Sequence, residues 1–281
     1  MAQRLTVKDI MAMKGQGKKI SMLTAYDAAM ARMLDKCEID ILLVGDSLGM
    51  VLLGYDSTVP VTMEEMLHHA RAVSRGRENA LIVGDMPFGS YQSGLTDAVD
   101  NGVRFMKEAG CDAVKLEGGE EMCDVVRALT RAGVPVMGHV GLTPQTAGQL
   151  GGFKVQGRDL DSARKMVADA RALADAGVFS IVLECVPQNL AEVVTKSIDV
   201  PTIGIGAGPE CDGQVLVTHD LLGMFDKFIP TFVKQYANLA PQMSEAVVSF
   251  REEVSKGAFP AAENTFDSKV NLAPLFEGKD D

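Results

Sequence analysis

Eight short aliphatic runs constrain this chain more than any other feature. They are Ile20 to Ala25, Ile41 to Gly45, Leu81 to Asp85, Ala113 to Glu117, Val136 to Val140, Ser180 to Glu184, Thr202 to Gly206 and Gln214 to Thr218. Each run is continuously apolar rather than alternating, as parallel strands buried on both faces require. Helix-like stretches separate them, and eight such units favour an α/β fold closed into a (β/α)8 barrel over an open sheet. The eighth run follows the seventh after only a short interval.

The helix signals are local and physical. Thr62-Met63-Glu64-Glu65 is a capping box: Thr62 is placed to accept a backbone N–H and Glu65 to reach back, with Val61 and Met66 at the staple positions. Segments 96–109 and 161–176 are each helical in pattern and end at Gly110 and Gly177, which suit the position just past a helix. Two more helices are expected after the barrel, at 230–237 and 243–255, followed by a polar, frayed tail from about 261. A (β/α)8 barrel commonly runs to about 250 residues as one domain. The 281 residues therefore read as one barrel over 18–225, terminal helices over 226–258 and a tail over 261–281.

Composition removes several functional classes. At 47% hydrophobic and 23% charged, the chain can bury a large core, so wholesale disorder is excluded. A net charge of −11 and only 5% aromatic residues argue against a nucleic-acid partner, which would need basic clusters and stacking rings. No run approaches the roughly 18 apolar residues of a membrane span. The opening Met1-Ala2-Gln3-Arg4-Leu5 meets Lys8 and Asp9 too soon for a signal-peptide core. Five scattered cysteines (Cys37, Cys111, Cys123, Cys185 and Cys211) form no CxxC pair and read as reduced thiols of a cytoplasmic protein.

Charged residues fall at the ends of the runs. Asp46 follows the second, Asp85 closes the third, Glu117 the fourth and Glu184 the sixth; His139 lies near the end of the fifth. In a barrel all these ends meet at the one mouth that carries catalysis. Lys115 and Glu117 are two residues apart and point the same way, either as catalytic groups or as an ion pair of the rim. Asp46, Asp85 and Glu117 offer hard oxygen ligands suited to Mg²⁺, although an Asp just past a strand can equally cap a helix. Glu184, among apolar neighbours, is expected to be desolvated into a better general base. These residues point to a Mg²⁺-assisted enzyme working through an enolate. His68-His69 cannot form a facing metal pair on a helix. His219 reads as either a helix cap or a mouth residue. Gly204-Ile205-Gly206-Ala207-Gly208 lacks nucleotide-loop spacing and more naturally admits a close approach of ligand or strand.

Six longer stretches identify a relationship. They are Thr24-Ala25-Tyr26-Asp27, Val44-Gly45-Asp46-Ser47-Leu48-Gly49, Gly84-Asp85-Met86-Pro87-Phe88-Gly89-Ser90-Tyr91, Val114-Lys115-Leu116-Glu117-Gly118-Gly119, Gly138-His139-Val140-Gly141-Leu142-Thr143-Pro144-Gln145 and Gly204-Ile205-Gly206-Ala207-Gly208. Together they resemble the ketopantoate (3-methyl-2-oxobutanoate) hydroxymethyltransferases over about 7–259. The resemblance implies a TIM barrel of the phosphoenolpyruvate/pyruvate-binding type, assembled as a large homo-oligomer, a decamer. It implies Mg²⁺ at Asp46, Asp85 and Glu117, the last directly or through water. It places the oxoacid at Asp46, Ser47, Asp85, Lys115 and His139, and makes Glu184 the base. It also implies 5,10-methylenetetrahydrofolate as cosubstrate and 2-dehydropantoate, on the way to pantothenate and coenzyme A, as product. One alternative is a carbon–carbon lyase of the phosphoenolpyruvate mutase/isocitrate lyase type, whose Lys-Lys/Arg-Cys-Gly-His loop is absent here. Another is a non-catalytic barrel that binds an oxoacid.

Overall fold

The computed structural model describes residues 4–149, 151–224 and 229–275. Its strands are β1 (Ile20–Thr24), β2 (Ile41–Val44), β3 (Leu81–Asp85), β4 (Ala113–Lys115), β5 (Val136–Gly141), β6 (Ser180–Glu184), β7 (Thr202–Ile205) and β8 (Gly213–Leu216). They close in chain order into a parallel barrel, with β8 paired to β1. Its helices are α1 (Val7–Ala12), α2 (Ala28–Lys36), α3 (Leu48–Val51), α4 (Met63–Gly76), α5 (Leu95–Lys107), α6 (Cys123–Arg131), α7 (Leu160–Ala176), α8 (Gln188–Lys196), α9 (Thr218–Leu221) and α10 (Leu239–Ser255).

Alternation along each strand sorts the side chains into two cores. Ile20, Met22, Ile41, Leu43, Leu81, Val83, Met137, Val182, Ile203 and Val215 fill the barrel interior, and Ile10 of α1 joins them. Leu42, Val44, Ile82, Val114, Ile181 and Leu183 face outward and pack with Phe105, Leu129 and Leu173 of the surrounding helices. Each such fully buried side chain contributes about 1.5–3 kcal/mol through removal from water. The same parity decides where the polar residues go. Counting inward positions from Leu81 and Val83 leads to Asp85, from Ala113 to Lys115, from Met137 to His139, and from Val182 to Glu184.

The helix ends obey the local signals. Thr62 and Glu65 form a reciprocal capping box, and Gly177 closes α7 in the left-handed region at φ 104°. Two expectations change. Residues 230–237 are not helical: after a single turn in which Val233 N–H donates to Pro230 O, Tyr236 N–H donates to Leu221 O at the end of α9, and Leu239 N–H, just beyond, to Leu222 O. Glu117 lies two residues beyond the end of β4 but keeps its inward parity. Residues 206–212 join β7 to β8 with no helix between them. The expected barrel boundary at 225/226, and the end of the tail from 276, lie outside the described residues. Helix α10 has no buried residue, and Met243, Val247, Val248, Phe250 and Val254 all remain exposed.

Candidate active site

The C-terminal mouth of the barrel gathers a set of buried titratable groups. Asp46, Asp85, Lys115, Glu117 and His139 are each 4% exposed or less. Burial on this scale is tolerated only when charges are paired or hydrogen-bonded. Lys115 Nζ stands 2.8 Å from Asp85 Oδ1 and 3.9 Å from Glu117 Oε1. Asp46 N–H donates to Asp85 Oδ2 at 3.3 Å, which brings the first residue past β2 against the last of β3.

Electrostatics follow from that crowding. Burial, then the charges of Asp85 and Glu117, raise the Asp46 carboxyl well above its ordinary range. Burial raises Asp85 as well. For Lys115, burial opposes the charge but the surrounding Asp85, Glu117 and Asp46 outweigh it, so the ammonium is held protonated. Burial also opposes ionisation of Glu117, yet His139, Lys115 and the Gln145 N–H lower it overall. Three carboxylates thus crowd around the Lys115 ammonium, which engages Asp85 Oδ1 most closely. Hard oxygens with unneutralised charge are the donor chemistry of Mg²⁺. No three His, Cys, Asp or Glu side chains among the described residues are already gathered as a metal-ligand set. Lys115 and Gln145 instead engage the carboxylate oxygens.

His139 joins this cluster to Glu184. Its Nδ1 is 3.3 Å from Lys115 Nζ and 3.5 Å from Glu117 Oε1, and its Nε2 is 3.3 Å from Glu184 Oε2. Burial and the Lys115 charge oppose protonation, but the carboxylates of Glu117 and Glu184 outweigh them and bring His139 up to about 9. The Glu184 side chain is 16% exposed, so it faces the opening of the mouth while its five neighbours sit beneath. Directly after it, Cys185 adopts φ 50°, a costly conformation for a non-glycine residue that turns the chain sharply away from the strand. Gly141 pairs with Glu184 in register and has φ 99°; a Cβ there would collide with the Glu184 carbonyl oxygen.

Ser47, the remaining sequence-derived candidate, sits beside Asp46 with its hydroxyl 2.9 Å from Tyr26 Oη. His219 is the second residue of α9, not its cap, and its ring lies 5.5 Å from that of Tyr26. His69 Nδ1 stands 2.7 Å from the backbone oxygen of Tyr26. The glycine segment after β7 meets a protein neighbour: the Phe232 ring packs against Gly206. Sequence reasoning assigned no part to Gln145 or Tyr91. Gln145 Nε2 donates to Asp46 Oδ2 at 2.8 Å, its backbone N–H donates to Glu117 Oε2 at 3.0 Å, and Tyr91 Oη donates to its Oε1 at 2.7 Å. An uncharged polar residue just past a strand end, as Gln145 is past β5, was the available signal.

Comparison with known proteins identifies the lineage of this mouth. Residues 4–262 match the family described as ketopantoate hydroxymethyltransferase. The chain belongs to that family. It is 64% identical over 277 residues to the 3-methyl-2-oxobutanoate hydroxymethyltransferase of Desulfotalea psychrophila, covering 99% of both chains. It is 58% identical over 276 residues to that of Heliobacterium modesticaldum, covering 98% of this chain and 100% of the other. Among solved structures, it resembles 2,3-dimethylmalate lyase, a phosphoenolpyruvate mutase/isocitrate lyase superfamily member, with a TM-score of 0.56 at 15% identity, covering 97% of this chain and 94% of the other. At that identity the likeness shows the barrel fold alone, and within that fold the family is a hydroxymethyltransferase one.

Proposed function

We propose that the barrel mouth transfers a hydroxymethyl group to C3 of 3-methyl-2-oxobutanoate, giving 2-dehydropantoate, with Glu184 as the base that takes the C3 proton. One observation carries the reading: Glu184 and His139 meet Lys115 and three buried carboxylates at the mouth of a barrel whose family is that of ketopantoate hydroxymethyltransferases. Asp46, Asp85 and Glu117 would hold a divalent cation, Mg²⁺ by donor hardness. When bound, that cation polarises the ketone oxygen and offsets the negative charge that appears as C3 loses its proton.

The chain's own residues do the rest. Lys115 and Ser47 face the oxoacid, and Lys115 supplies positive charge that attracts its carboxylate. Glu184, at the opening, abstracts the proton from C3. His139 Nε2 stands 3.3 Å from Glu184 Oε2 and so orients the carboxylate of the base. The C3 carbanion equivalent then attacks a one-carbon unit at the formaldehyde oxidation level. With 5,10-methylenetetrahydrofolate as donor, a new C3–CH2 bond forms, both carbon–nitrogen bonds to the folate break, water supplies the hydroxyl oxygen, and tetrahydrofolate leaves with the protons. The family resemblance supports folate as the donor.

No helix among the described residues is long and apolar enough to cross a membrane. A cytoplasmic small-molecule enzyme accords with this and with free cysteines throughout the described residues. The exposed apolar side chains of α10 support a homo-oligomer, since a patch of that kind normally finds a partner. The test of function is product formation from the oxoacid, methylenetetrahydrofolate and Mg²⁺. The expected result is 2-dehydropantoate, lost with EDTA and restored by excess Mg²⁺. Cleavage of a carbon–carbon bond in a 2-hydroxy acid instead would favour the lyase alternative.

A further inference from the structure

The hydrogen bonds behind the carboxylates form one directed chain. Glu117 N–H donates to Tyr91 Oη at 3.2 Å, and the hydroxyl directs its own hydrogen to Gln145 Oε1 at 2.7 Å, much closer than its other acceptor, Glu117 O, at 3.4 Å. That fixes the amide of Gln145. Its Nε2 donates both hydrogens, to Asp46 Oδ2 at 2.8 Å and to Met86 O at 2.9 Å. A flipped amide would set Oε1 against a carboxylate and a carbonyl, and would leave Nε2 facing the Tyr91 hydroxyl, so only one orientation satisfies every group. The backbone N–H of the same residue holds Glu117 Oε2 at 3.0 Å. Gln145 is 3% exposed and Tyr91 1%, so water does not compete for these bonds.

We propose that Gln145 and Tyr91 are positioning residues: they fix the carboxylates of Asp46 and Glu117, and thereby set the affinity of the mouth for a divalent cation, without touching cation or substrate. The proposal rests on the reading of those carboxylates as metal ligands. Neither residue carries charge, so they do not neutralise the cluster; they decide which oxygens remain free to turn toward the centre. Gln145 is suited to this because it is anchored twice. The turn Pro144–Thr146 places its backbone under Glu117, and its side chain reaches across to Asp46. Outer groups that orient metal-binding carboxylates commonly change metal affinity by about 10–100-fold when removed.

The test is Mn²⁺ binding to the full chain without substrate, read by electron paramagnetic resonance and by calorimetry. Tyr91→Phe removes one oxygen and keeps the ring; Gln145→Leu removes the amide at similar volume; Gln145→Asn keeps the amide on a shorter arm. Tyr91→Phe is expected to weaken Mn²⁺ by about 10-fold and Gln145→Leu by more, toward 100-fold. Because both act through one chain, the double variant should bind no more weakly than Gln145→Leu alone. Melting temperatures identify the folded variants, and Tyr91→Phe serves if Gln145→Leu does not fold. Folded variants that bind Mn²⁺ within twofold of the parent overturn the proposal, whatever their stability, because that is the signature of a merely structural role. A parent chain that binds no Mn²⁺ overturns the metal reading beneath it and the proposal with it.

Discussion

Replacing Lys115 with Met removes the ammonium that pairs with Asp85 in the buried cluster and nearly preserves its volume. At 2.8 Å and an effective dielectric of about 20, the Lys115–Asp85 attraction is about 6 kcal/mol. Much of that offsets desolvation, and removing one partner of a buried pair usually costs about 3–5 kcal/mol because the other charge is left uncompensated. For a chain somewhat larger than 250 residues, each kcal/mol moves the melting temperature by about 2–4 °C or slightly less. Lys115→Met should therefore melt about 10 °C below the parent at pH 8 in EDTA. Two conditions should narrow the gap. Asp46 and Asp85 already have raised pKa values, so lowering the pH lets them discharge by protonation. Added Mg²⁺ should also narrow it by supplying the missing positive charge. Thermal melting followed by circular dichroism reads all three conditions. A variant within about 2 °C of the parent at pH 8 in EDTA would refute the claim that the ammonium sustains the buried carboxylates.

Other consequences are equally open to measurement. Gly141→Ala forces a side chain onto a residue at φ 99° facing the Glu184 carbonyl, so stability should fall by more than about 1 kcal/mol, and kcat by more than 10-fold as Glu184 shifts; unchanged kcat would show that this backbone does not place the base. Burial pushes Asp220 from 3.8 up to about 6, so the folded state keeps this proton longer than the unfolded state does and loses stability as pH rises between those values. Asp220→Asn lacks that penalty and should gain melting temperature relative to the parent between pH 4 and pH 7, with the offset flat above; an offset equal at both pH values would refute it.

The barrel and most of the mouth were legible in the sequence because one physical rule governs both. Parallel strands buried on two faces leave continuous apolar runs, and any charge that ends such a run must project into the mouth. Asp85, Lys115, His139 and Glu184 follow from that rule, while Glu117 holds its place by parity although β4 has already ended. The helix expected at 230–237 failed because its pattern was satisfied by another use: its backbone pairs with α9, a contact invisible to local periodicity. Gln145 and Tyr91 were missed for a related reason. The position of Gln145 just past β5 is a weak signal without charge to strengthen it, and its partners Asp46 and Glu117 are brought to it only by the closed barrel. His219 could not be resolved between cap and mouth until the start of α9 was fixed at Thr218.

Loss of the C3 proton in 3-methyl-2-oxobutanoate tests the role of Glu184 most directly. In D2O with Mg²⁺ and tetrahydrofolate, the parent enzyme should replace the C3 hydrogen with deuterium, seen as loss of its proton resonance. Glu184→Gln should bind the oxoacid with similar affinity while exchanging it about 10²-fold or more slowly, the scale of a lost general base. Exchange by Glu184→Gln at the parent rate would contradict the assignment of Glu184 as the base.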